Sequence, residues 1–184
     1  MNKVKLRRSL VSIHLYVAAL LAPAFVLMAI TGALYLAGFQ GETSETELPV
    51  ATGYALDNEN PELESEVRRY IADQNLDIDF DYIRGRGESF VTRPTSRPHL
   101  QVENSEEGTT VMLVEPDMLS ALTEVHKGHG PQIYRTYGIF VGIGLFIVVL
   151  GGVLVGLLAP AYRRPTILSV LAGTVVFSYI AFWA

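Results

Sequence analysis

The residues able to do chemistry in this sequence are few: four histidines, no cysteine, and two charge clusters. His126 and His129 stand three apart in "LTEVHKGHGPQIYRTYG", with Glu124 just before them. Imidazoles at that spacing on a helix could share a metal ion. Gly128 and Gly130 make this stretch a poor helix, however, and zinc would want a third ligand that no nearby His-Glu cluster offers. The other reading is that these are interfacial or capping histidines. His99, in "RPHLQVE", is a lone histidine on a predicted strand and reads as structural. His14 lies inside a long apolar run, where a polar side chain needs a partner.

Arg84, Arg86, Arg93, Arg97 and His99 crowd one region of an otherwise acidic stretch. They could form an anion-binding or docking patch for a carboxylate, a phosphate headgroup or an acidic partner. Alternatively they pair with the many local carboxylates. Asp77, Asp79 and Asp81 alternate and so share one face of a predicted strand, a solvated face or a cation site. There is no nucleophile motif, dinucleotide fingerprint, metalloprotease signature or Gly-rich phosphate loop; "RGRG" is too short for the last.

The elements that must position these residues are set by hydropathy. No Asp, Glu, Lys or Arg occurs from Ser9 to Phe39, from Thr136 to Tyr162, or from Pro165 to Ala184. Crossing a bilayer takes roughly 20 such residues. The sequence therefore predicts an integral membrane protein with three transmembrane helices. The first apolar run is far longer than a signal-peptide core and reads as an uncleaved signal anchor. Lys3, Lys5, Arg7 and Arg8 precede the first span, and Arg163 and Arg164 link the second and third. The positive-inside rule then puts the N-terminus and that link in the cytoplasm, and residues 40–135 and the C-terminus outside, in the periplasm of a bacterial inner membrane. All 19 acidic residues lie in that outer segment, which argues against a nucleic-acid partner.

Within the outer segment, "PELESEVRRYIADQNL" has helical spacing of Leu63, Val67, Tyr70 and Ile71, with Pro61 suited to a first turn. "DIDFDYIRGRG", "ESFVTRP", "HLQVEN" and "TTVMLVEP" read as four strands. "DMLSALTEVHKG" reads as an amphipathic helix ended by Gly and Pro. The predicted organisation is a basic N-terminus (1–8), first span (9–39), flexible linker (40–56), α+β domain (57–117), interfacial helix (118–130), second span (133–160), turn (161–165) and third span (166–184).

Small residues let membrane helices approach closely. At 100° per residue, Gly138, Gly142, Gly152 and Gly156 fall within about an 80° arc of the second span, with Gly144 and Gly151 nearly opposite. That predicts two packed faces, one against the first span and one against the third or a partner chain. Pro23 predicts a kink in the first span.

Three stretches carry a resemblance to a known family: "RRSLVSIHLYVAALLAPAFVLMAITGALYL", the helix-plus-strands segment ending in "TTVMLVEPDML", and "LTEVHKGHGPQIYRTYGIFVGIGLFIVVLGGVLVGLL". Together they resemble the PepSY-associated transmembrane family, with a PepSY-like module between the first two helices. Larger members include inner-membrane haem b proteins that reduce ferric siderophores or pass electrons across the membrane. The resemblance implies His14 and His126 as haem ligands; His129 has no counterpart. The chain departs from larger members in having three spans, the third without histidine. The two histidines lie at levels separated by the hydrocarbon core, ~30 Å, so a single iron cannot take both. Thr166 and Ser169, at the depth of His14, are not usual haem ligands. A haem would need a histidine from a second chain; otherwise His14 makes an interhelical hydrogen bond to Ser, Thr or a backbone carbonyl. The sequence itself requires no cofactor.

Two function classes follow. One is a non-catalytic accessory subunit that packs among lipids and other integral membrane subunits of a larger redox or energy-transducing complex. The other is a haem b electron-transfer protein, a membrane oxidoreductase. A periplasmic regulatory or inhibitory module is a third.

Overall fold

The computed structural model describes the backbone of residues 3–50, 53–105 and 108–183. Two compact units are distinct: the chain up to Val26 together with the chain from Ile139, and the chain from Leu27 to Gly138. The long helices α1 (Lys3–Leu36) and α4 (Gln132–Leu158) contribute to both.

Among the described residues, three helices are long and apolar enough to cross a membrane. They are α1 from Lys5, α4, and α5 (Arg163–Trp183), with mean hydropathies of 2.3, 2.8 and 1.8. Lys5, Arg7 and Arg8 belong to α1 itself rather than preceding it, and Arg163 and Arg164 begin α5. α1 continues as α-helix through Pro23.

In the first unit, α1 meets α4 where α4 is smallest. A Cβ on Gly144 would collide with Leu21, and one on Gly151 would touch His14. Val141 and Gly144 are the buried residues of α4, and Ala159 just beyond its end is buried too. The predicted glycine arc does not act as one face. Gly152 meets the His14 ring, Gly156 meets Thr166 of α5, and Gly138 and Gly142 have nothing within 4 Å of the space a Cβ would fill. One arc of α4 therefore meets different neighbours along its length. No residue of α5 is buried.

The second unit holds a five-stranded antiparallel sheet in the order β1-β5-β4-β3-β2. The strands are β1 (Thr43–Leu48), β2 (Tyr82–Arg86), β3 (Ser89–Arg93), β4 (His99–Ser105) and β5 (Gly108–Pro116). Alternation gives the sheet two unlike faces. One face carries Phe90, Leu100, Val102 and Val111, covered by Leu63, Val67, Tyr70 and Ile71 of α2 (Leu63–Asp73). Each fully buried aliphatic or aromatic side chain there contributes roughly 1.5–3 kcal/mol. Tyr70 is wholly buried, and its hydroxyl donates to the Pro49 carbonyl at 3.1 Å.

The other face is polar. The register sets Tyr82 beside Arg93, Arg84 beside Val91, Val91 beside Gln101, and both His99 and Glu45 beside Val114. Beyond β5, Asp117 caps α3 (Met118–His126), its carboxylate accepting from the Ser120 amide at 2.6 Å.

Two sequence expectations are corrected. Residues 40–56 are not a flexible linker throughout, since β1 pairs over six residues with β5. β1 is an edge strand of charged and hydroxyl side chains, so it lacks the apolar alternation that marks its neighbours. Asp77, Asp79 and Asp81 all precede β2 and share no strand face. Asp79 instead turns back to accept from the Phe80 amide at 2.9 Å, the kind of side-chain bond that competes with a ladder.

Candidate functional site

The polar face of the sheet and the underside of α3 enclose a cleft of about 380 Å³. Arg84, Arg93, His99 and Gln101 line it from the sheet, Glu45 from the edge strand, and Ser120 and Glu124 from α3. Gly41 sets the entrance to this arrangement: at φ +80° it lies so close to the Asp117 cap and the Ser120 amide that a Cβ has no room.

Glu124 is the hub. One carboxylate oxygen accepts from the Thr95 hydroxyl at 2.6 Å and from His129 Nδ1 at 2.8 Å, and lies 3.7 Å from Arg93. The other pairs with Lys127. Arg93 in turn donates to Thr95 Oγ1 at 2.7 Å. Burial pushes the Glu124 carboxyl up. The hydrogen bonds from Lys127, Thr95 and His129 outweigh it and bring the pKa down to about 2. Glu124 is thus held ionised as an anchor for cations. His99 is buried at the start of β4, where desolvation lowers its pKa, and its Nδ1 bonds the Arg97 carbonyl at 2.8 Å.

His126, at the end of α3, reaches α1. Its Nδ1 lies 2.9 Å from Thr31 Oγ1, and Thr31 Oγ1 lies 2.8 Å from the Leu27 carbonyl. The hydroxyl has one proton and the carbonyl can only accept, so satisfying both contacts puts the imidazole hydrogen on Nδ1. Gly32 leaves room for the ring: a Cβ there would stand 3.0 Å from His126 Cε1. Thr31 is 2% exposed, a buried hydroxyl fully partnered.

His14 belongs to the other unit and is held in the same sense. Its Nδ1 lies 3.0 Å from the Val148 carbonyl, which can only accept, so Nδ1 carries a hydrogen.

No family model, curated protein or solved structure matches this chain.

The predicted site residues therefore separate. His126 and His129 do not converge, since one turns to Thr31 and the other to Glu124. Among the described residues no group of three or more His, Asp or Glu is placed to hold a metal ion. Of the arginine cluster, Arg84 and Arg93 share the cleft, while Arg97 lies exposed outside its lining. Arg86 ends β2, and its side chain lies outside the described residues. Sequence reasoning missed Thr31, Thr95 and Ser120. Thr31 had a signal in the sequence, a hydroxyl followed by glycine within an apolar run. Thr95 gains its role only by meeting Glu124 of α3, and Ser120 only by lining the cleft from α3.

Proposed function

We propose that this chain is a non-catalytic accessory subunit of the bacterial inner membrane. Its N-terminus is cytoplasmic, and the α+β domain is periplasmic, between the first two spans. The spans pack against helices of a larger redox or energy-transducing assembly. The observation that carries this reading is α5, an apolar helix of 21 residues with none buried. It supports a helix built to be covered from outside the chain. Gly142, with nothing near it, adds a place for another helix to come close. The PepSY family assignment belongs to the same proposal, supported by a helix followed by antiparallel strands. Extraction in mild detergent tests it: the chain should co-purify with larger membrane subunits. A well-behaved monomer without partners would sink it.

A second reading is a haem b electron-transfer protein, and the tautomer of His14 favours it. Ligating histidines donate one ring N–H to a carbonyl and bind iron through the other nitrogen. The Nδ1 bond to Val148 leaves Nε2 so disposed, the second ligand coming from another chain. Protein from haem-replete cells would then show a Soret band that His14→Ala removes; colourless protein excludes this reading.

A further inference from the structure

A second cleft, of about 330 Å³, lies on the far side of Arg84 and Arg93. Tyr82, Arg84 and Arg93 line it from the sheet, Lys127 and His129 from the turn after α3, and Arg135 from the first turns of α4. No carboxylate lines it. Glu124 reaches Arg93, Lys127 and His129 from behind and holds three of these groups in place. Arg84 and Arg135 have no ion-pair partner among the described residues. Two neighbouring carboxylates, Glu124 and Asp81 (the latter accepting from the Gln132 amide at 2.8 Å), against four Arg and Lys side chains leave the cleft cationic, within a domain whose composition is acidic.

The ligand chemistry follows from the donors. Guanidinium forks match the oxygens of a phosphate, and an ammonium adds a point charge. The location selects the source. Arg135 is the residue immediately before the charge-free run that begins at Thr136, and basic residues beside a span draw anionic headgroups.

We infer that Arg84, Arg93, Lys127, His129 and Arg135 form a binding site for the phosphate of an anionic phospholipid headgroup. The inference rests on α4 being a membrane span and is independent of the accessory-subunit reading. It also changes the membership of the arginine patch seen in the sequence: Arg97 is left out, and Lys127 and Arg135 are brought in.

Native mass spectrometry of the full chain, released from neutral detergent, tests this. Phosphatidylglycerol should be retained in preference to phosphatidylcholine. Arg84→Gln combined with Arg135→Gln should weaken that retention by about tenfold or more, at roughly one unit of headgroup attraction per cation. Each single variant should lose part of it, and neither removes an ion pair the fold uses. Arg97→Gln should retain lipid as the unaltered chain does. Equal retention of the two lipids would overturn the inference, as would a double variant that holds phosphatidylglycerol normally. If inorganic phosphate binds at the same arginines while phosphatidylglycerol shows no preference, the site serves a soluble phosphate and the lipid assignment fails.

Discussion

His126 donates from Nδ1 to Thr31 Oγ1 across 2.9 Å, tying the end of α3 to α1 between residues 95 apart in sequence. Gly32 makes this contact sterically affordable. Replacing Thr31 with Val keeps the shape and removes the acceptor, leaving a half-buried N–H without that partner. The expected loss is about 1–3 kcal/mol. Gly32→Ala should also destabilise by crowding the ring. Because both act on His126, the double variant should cost less than the sum of the two. Thermal melts of the four proteins in one detergent check this; strict additivity would mean the ring is not where the two effects meet.

The Glu124 network predicts an acid response. Its carboxyl titrates ordinarily at 4.5 and in the folded chain at about 2. A depressed folded value means the unfolded chain takes up the proton first. The stabilisation is therefore complete above about 4.5 and is lost as the pH falls toward about 2. Glu124→Gln should melt lower at neutral pH and show a flatter decline across that acid window. An unchanged slope would mean that the carboxylate is not the titrating anchor.

Thr123 gives a prediction of opposite sign. It is 2% exposed, and its hydroxyl is buried without a hydrogen-bond partner. Thr123→Val replaces that hydroxyl with a methyl group and should raise stability by about 1 kcal/mol. A lower melting temperature would reveal that the hydroxyl is in fact satisfied.

Two glycines of α4 separate internal packing from external contact. Gly144→Val drives a side chain into Leu21 of α1 and should cost about 1–3 kcal/mol. Gly142→Val points into open space and should leave the melt of the isolated chain unchanged. Under the accessory-subunit reading, the same Gly142 substitution should reduce recovery of partner subunits. Equal melts for both variants would contradict the packing of α1 on α4.

The three long apolar helices were legible because charge is so costly in a bilayer that its absence over long runs is itself a signal. β3 to β5 were legible because covered and open positions alternate along them, as at Phe90 and Thr92 on the covered face, whereas β2 carries two arginines and a glycine in five residues. β1 was hidden by its own composition: Glu45 and Glu47 suit an edge strand as readily as a linker. The site was less visible than the fold. Glu124 looked like a companion to two histidines, yet Arg93 and Thr95 reach it only once the sheet and α3 are in place. The pairing of His126 with Thr31 obeys no local spacing, so no periodicity could have announced it.

The start of β1 and the end of β5 lie side by side. Thr43 is paired with Pro116, and just outside them the Asp117 amide donates to the Glu42 carbonyl at 2.9 Å. Everything from residue 43 to 116 thus leaves and re-enters the chain at a single hydrogen-bonded doorway. A segment inserted in that way can be lengthened, shortened or exchanged for another module without altering the gap its ends must bridge. In this architecture the ends of the sheet domain stay fixed while its outer strands vary, and only residues such as Arg93 and Thr95 must keep step with Glu124 of α3.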